Sequence, residues 1–103
     1  MVFWNAAEVQ LEEFRPGILS TAEIGSNLIM ACMEIGPNQE DLGHKHPFDQ
    51  CGIVLEGNIE MFIDDKYMKL GPNQCYFILS DTRHGWKTGP DPVRILDISA
   101  RLT

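Results

Sequence analysis

Short apolar or alternating runs, separated by turn-forming residues, dominate this chain. The runs are Leu28–Ile35, Gln50–Leu55, Ile59–Ile63, Cys75–Leu79 and Val93–Ile98. Turn signals recur every eight to twelve residues: Pro16-Gly17, Gly25-Ser26-Asn27, Gly36-Pro37-Asn38, Gly57-Asn58, Asp64-Asp65, Gly71-Pro72-Asn73, Gly85 and Gly89-Pro90. A period of two puts alternate side chains on one face of an extended strand, so this spacing predicts an all-β sandwich or barrel. Only Ala6–Phe14 has the composition for a helical turn or two, which Pro16 would end. Gly57-Asn58 can supply the positive φ values of a tight two-residue hairpin. Leu70-Gly71-Pro72-Asn73 reads as a second turn, so two hairpins are expected in the middle of the chain. No internal repeat, low-complexity segment or linker interrupts the pattern.

A length of 103 residues predicts one domain spanning 1–103. The composition, 44% hydrophobic and 22% charged, is that of a globular domain. The net charge of −7 argues against a nucleic-acid partner held through phosphates and against an anionic membrane surface. Cys32, Cys51 and Cys75 are odd in number and far apart, which fits reduced, apolar-like residues and no disulfide framework. No apolar stretch approaches membrane-spanning length. The opening Met1-Val2-Phe3-Trp4-Asn5-Ala6 lacks the basic and apolar regions of a secretion signal, so a cytoplasmic protein is expected.

Candidate chemistry concentrates in four residues. His44-Lys45-His46 places two imidazoles at i and i+2, on one face of an extended strand. Gln50 shares their parity, and the strand is read as continuing through Cys51–Glu56. His84 follows another apolar run. Three imidazoles and an amide oxygen on facing strands predict a divalent metal site with positions open for substrate or water. Neutral imidazole suits Mn, Fe, Co, Ni, Cu and Zn alike, so the donor set leaves the metal unnamed. Gln50 in place of a carboxylate removes one negative charge from the ligand set, which favours an anionic substrate. Asp97 lies in the apolar strand Val93–Ser99 and shares parity with Ser99 and Arg101. It is the expected acid/base group, with Arg101 as a carboxylate anchor and Tyr76 and Trp86 as pocket walls. Plainer roles stand beside these. His84 alone is more often structural, Gln50 an ordinary strand residue, and Asp97 an edge partner for Arg94 or Arg101. Phe3, Trp4 and Phe14 are read as packing on a partner subunit, and Glu12, Glu13, Asp64 and Asp65 as solvated surface.

The same residues resemble a known family, the small single-domain cupins, over about residues 28–99. Their first motif is His-x-His, three or four residues, an acidic residue or Gln, six residues, then Gly. Here it is His44-Lys45-His46, then Pro47-Phe48-Asp49, Gln50, and six residues to Gly57. Asn38 stands at the motif's opening Gly. In the second motif Gly71 and His84 fit, with Leu79 in place of Pro and Asp81 in place of Gly. The resemblance implies a cupin jelly-roll β-barrel. Within the cupins the chain is most similar to the KdgF-like group, which linearises unsaturated monouronates. That group has a three-His, one-Gln metal set, matched by His44, His46, Gln50 and His84. Its His-Pro-x-x-Gln and Val-Leu-Glu-Gly are matched by His46–Gln50 and Val54–Gly57. Its late catalytic Leu-Asp and Arg are matched by Leu96-Asp97 and Arg101, although Ser99 stands where the group has an aromatic. The resemblance also implies a homodimer.

Three functions compete at this point. One is a metal-dependent enzyme moving a proton on a small acidic sugar such as an unsaturated uronate. The second is an iron-dependent dioxygenase, and the third a non-catalytic module that binds a sugar or another small ligand.

Overall fold

The apolar runs form strands, and five further strands join them. In chain order they are β1 (Glu12–Arg15), β2 (Ile18–Ile24), β3 (Leu28–Ile35), β4 (Glu40–His44), β5 (Gln50–Glu56), β6 (Ile59–Ile63), β7 (Lys66–Leu70), β8 (Cys75–Ile78), β9 (His84–Thr88) and β10 (Val93–Ala100). The computed structural model describes residues 2–102; Met1, part of the N-terminal stretch read above, and Thr103 lie outside them. Two antiparallel sheets face each other as a jelly roll. One has the order β1-β2-β3-β10-β5-β8 and the other β4-β9-β6-β7. Their inner faces interlock through Ile18, Ile35, Val54, Ile59, Met61, Leu70, Ile78, Val93 and Ile95.

Of the helical turn or two expected at Ala6–Phe14, one forms, and it begins at Asn5. Asn5–Val9 makes one isolated turn, in which the Glu8 and Val9 amides donate to the Asn5 carbonyl at 3.0 and 2.8 Å. The chain then extends into β1. One turn cannot offset the entropy of helix nucleation, whereas Glu12–Arg15 gains ladder bonds to β2.

The two expected hairpins also need correction. β5 lies in the six-stranded sheet and β6 in the four-stranded one, so Gly57-Asn58 carries the chain across the barrel. Gly57 does adopt a positive φ, 79°, but the partners of β5 are β10 and β8. The hairpin in this middle part of the chain joins β6 to β7 through Asp64-Asp65, where Ile63 pairs with Lys66. Gly71-Pro72-Asn73 is a second crossing, back to β8. A local turn signal fixes a change of direction but not the strand that receives the chain.

Arg94 ties the N-terminal stretch to the barrel. Its Nε donates to the Ala6 carbonyl at 2.8 Å and its Nη2 to the Val9 carbonyl at 2.7 Å. Arg94→Ala is expected to cost about 1.5–3 kcal/mol, the range for hydrogen bonds from a charged group. Hydrogen exchange should show residues 5–9 losing protection while the β3–β10 ladder keeps it.

Candidate metal centre

The expected continuous strand from His44 to Cys51 is broken, and the break makes the site. His44 ends β4 in one sheet, Gln50 opens β5 in the other, and His46 lies in the connection between them. Gly43, at φ 128°, bends the chain there, and the β4–β9 register slips between Asp41 and His44. His84 opens β9 directly opposite His44. The site therefore gathers ligands from both sheets.

Each imidazole is oriented by an oxygen at its Nδ1. His44 Nδ1 lies 3.0 Å from Asp41 Oδ2, His46 Nδ1 3.1 Å from the Phe48 carbonyl, and His84 Nδ1 2.8 Å from the Thr82 carbonyl. A carbonyl only accepts, so His46 and His84 carry their proton on Nδ1 and leave Nε2 as a lone pair. The Asp41 carboxylate acts likewise on His44. Metal-binding histidines are held in this way. One ligating nitrogen from each of the three lies within 4.8 Å of the others. The His46 ring is also stacked on Phe48, with centroids 3.9 Å apart.

Two further observations fit a cation. Among the described residues, His84 Nε2 is the one buried side-chain polar atom without a hydrogen-bond partner. Gln50 Nε2 donates to Asp97 Oδ2 at 2.8 Å, which turns Gln50 Oε1 toward His46 Nε2 at 2.9 Å. That distance suits two donors that share one cation, and equally a proton on His46 Nε2 donated to Gln50 Oε1. The three histidines are thus placed to bind a metal ion, and Gln50 fits as a fourth donor.

Electrostatics agree with neutral donors. Burial pushes the His84 pKa down, and the neighbouring His44 and His46 act in the same direction against the Thr82 carbonyl. For Asp41, burial alone would raise the pKa. The Gly43 amide and His44 outweigh it and hold the carboxyl below its ordinary value. Burial raises the pKa of Asp97, opposed by hydrogen bonds from Tyr76 and Gln50. Tyr76 is pushed up by its own burial and by the adjacent Asp97 charge.

Asp97 reaches the centre from β10, whose inward positions Val93, Ile95 and Asp97 are all buried. Its neighbour on β5 is Gly52, which is also the neighbour of Tyr76 on β8. With no side chain at position 52, the Tyr76 hydroxyl crosses β5 and donates to Asp97 Oδ2. A Cβ on Gly52 would fall on the Tyr76 phenol and lie 2.8 Å from the Leu96 carbonyl. Gly52→Ala is therefore expected to destabilise the protein by about 1–3 kcal/mol, as overpacked cores do, with a fall in Tm of several degrees by calorimetry.

A cavity of about 330 Å³ opens over these groups, lined by His44, Gln50, Tyr76, His84, Trp86 and Asp97 above an apolar floor that includes Met33, Met61 and Ile95. The structure thus brings seven of the eight expected site residues together: His44, His46, His84, Gln50, Asp97, Tyr76 and Trp86. Arg101 is not among the residues lining the cavity. Its Nη1 donates to the Gly25 carbonyl at 2.7 Å and its amide to the Asn27 carbonyl, beyond the end of β10. Parity along the strand pointed it inward, but the strand ends at Ala100. Sequence reasoning missed Asp41, three residues before His44, and the role of Gly52. An acid upstream of a His-x-His pair was the available signal for Asp41; Gly52 offered none without the register.

Residues 31–99 match the family model described as "Cupin domain". This chain belongs to the cupin family. Among solved structures, this cupin is similar to KdgF from Halomonas sp., at 24% identity and a TM-score of 0.81, covering 99% of this chain and 94% of that one. It is similar to an RmlC-like cupin from Shewanella frigidimarina, at 18% identity and a TM-score of 0.83, covering 97% and 90% of the two chains. A third is the polyketide cyclase RemF from Streptomyces resistomycificus, at 24% identity and a TM-score of 0.78, covering 97% and 79%. At these identities the likenesses speak to the fold. No match was found among curated proteins.

Two of this cupin's departures from the family motifs keep the backbone conformation that Gly allows. Asn38 and Asp81, standing where the motifs have Gly, take positive φ values of 56° and 60°. Asn and Asp enter this left-handed region more readily than other side chains. The Asp81 amide donates to the His46 carbonyl at 2.8 Å, so the second motif braces the first. No helix among the described residues is long and apolar enough to cross a membrane.

Proposed function

We propose that this cupin is a metal-dependent enzyme that moves a proton on a small acidic sugar, with an unsaturated uronate as the substrate class. The observation that carries this reading is the Asp97–Gln50–His46 chain, in which a buried carboxylate is hydrogen-bonded to the amide that faces a metal-binding imidazole. A bound divalent ion supplies Lewis-acid stabilisation of negative charge developing on substrate oxygen. Gln50 holds the Asp97 carboxylate at the cavity wall and adds no charge of its own beside the three neutral imidazoles. Among the described residues both hydrogen bonds to Asp97 fall on Oδ2, which leaves Oδ1 to take a proton from substrate and return it. Tyr76 fixes that carboxylate, and Trp86 offers a flat apolar wall to a sugar ring. The likeness to KdgF, limited to fold at 24% identity, supports the same reading. A homodimer in the cytoplasm belongs to it as well, with the exposed Phe3 available to a second copy.

Protein loaded with Zn, Ni, Mn, Fe or Co in turn should consume a 4,5-unsaturated monouronate, followed by loss of its ultraviolet absorbance. Failure with every metal ends the uronate assignment. Consumption that stops when oxygen is excluded would assign the oxygenase in its place.

A further inference from the structure

The cavity over the metal centre has one cationic side chain on its lining besides the histidines, and it is Arg15. We propose that Arg15 recognises the carboxylate of an anionic substrate at the mouth of this cavity, a role that rests on the reading of the site given above. Four arginines occur in the chain. Three commit their guanidinium to main-chain carbonyls: Arg83 to Leu42, Arg94 to Ala6 and Val9, and Arg101 to Gly25. Among the described residues Arg15 forms neither a side-chain hydrogen bond nor an ion pair, and it is solvent-exposed. A planar fork of five donors is thus left for an incoming group, and a carboxylate is the group it fits best.

The backbone aims Arg15 inward. β1 carries a register shift between Glu13 and Arg15, so Phe14 is the extra residue of a bulge. Beyond the bulge Arg15 pairs with Ile18, a core residue that faces the same cavity. Directly paired residues on antiparallel strands share a face, so the bulge turns Arg15 toward the cavity. The turn that follows, Pro16-Gly17, is pinned in place. Gly17 has φ 87°, and the Gly36 amide donates to its carbonyl at 2.8 Å. β1 is an edge strand whose Phe14 and Arg15 line the same cavity as Asp41 and His44 of the other sheet.

Two further points favour an anion here. The chain carries a net charge of −7, so a cationic side chain on the lining lowers the general repulsion that an anionic ligand meets on entry. The acids on the lining are already engaged, Asp41 by His44 and Asp97 by Tyr76 and Gln50. Arg15 lies in the N-terminal hairpin β1–β2, outside residues 31–99, the part of the chain that the cupin model matches.

The test is a calorimetric titration of the metal-loaded protein with D-galacturonate and with its uncharged methyl ester. The natural chain should bind the acid at least about 10-fold more tightly than the ester, the ratio expected of a charge-assisted hydrogen-bonded pair. Arg15→Gln should bring the two within about two-fold of each other, Arg15→Lys should keep part of the ratio, and Arg101→Gln should leave it intact. An unchanged ratio in Arg15→Gln, or no preference in the natural chain, overturns the assignment. Because the readout is binding, it separates from the reaction. A protein that fails to turn over unsaturated uronate but loses its charge preference with Arg15→Gln ends the uronate reaction and leaves this assignment standing.

Discussion

Asp97→Asn is expected to lower turnover of the metal-loaded protein by about 10²- to 10⁴-fold, the usual contribution of a positioned general acid/base. The substitution is chosen to remove one property alone. Asn keeps an oxygen where Oδ2 accepts from Tyr76 and Gln50, so the buried hydroxyl and amide stay satisfied. What it loses is the ability to carry a proton to or from substrate. Asp97→Ala would strand both donors in a buried wall, a cost of about 1–3 kcal/mol each that confuses folding with chemistry. The metal content of Asp97→Asn should equal that of the natural chain, since Asn keeps the acceptor that orients Gln50. Retained turnover would make Asp97 a structural partner of Tyr76 and remove the proposed proton carrier. A joint fall in metal and turnover would place its effect in the binding of the ion.

The second large effect is on metal affinity. His84→Ala should weaken binding by well over 100-fold, because loss even of an outer hydrogen-bond partner of a ligand costs about 10–100-fold. His84 is the most buried of the three histidines, and its Nε2 has no hydrogen-bond partner among the described residues, so nothing else in the site can replace it. Competition against a chelator gives the affinity, and elemental analysis the stoichiometry. A stability readout follows from linkage. At an ion concentration 100 times Kd, the natural chain should gain about 2.7 kcal/mol of stability on loading, and His84→Ala should gain almost none. A natural chain whose Tm ignores every divalent transition metal would remove the metal centre from the account altogether.

The legible parts of this protein were those set by short-range pattern. The five apolar runs became strands because alternating or continuous burial leaves a mark on each residue, and the three histidines and Gln50 stood out by spacing. β4 and β7 left little trace, since Glu40–His44 and Lys66–Leu70 lie at sheet edges with mostly exposed side chains. Their pairing comes from main-chain groups, which every residue carries. The errors share one cause. The His44–Gln50 parity argument assumed an unbroken strand, the Gly57-Asn58 hairpin assumed neighbouring strands would pair, and Arg101 was extrapolated past the end of β10. In each case local geometry was extended over a point where the chain changes sheet or leaves it. The Tyr76–Gly52–Asp97 alignment was invisible for a related reason, since it depends on the register of three strands far apart in sequence.

Strand β10 pairs with β3 on one side and β5 on the other, so residues 93–100 bridge residues 28–35 and 50–56. Until it docks, the larger sheet exists only as two fragments, β1-β2-β3 and β5-β8. Closing such long loops is kinetically slow, which sets refolding on the millisecond-to-second scale typical of all-β topologies. The imidazoles and Gln50 come from β4, β5, β9 and their connections, all outside that bridging strand, whereas Asp97 arrives only with it. Because Asp97 also orients Gln50, the three imidazoles, the amide and the carboxylate come together as one set only once β10 has docked.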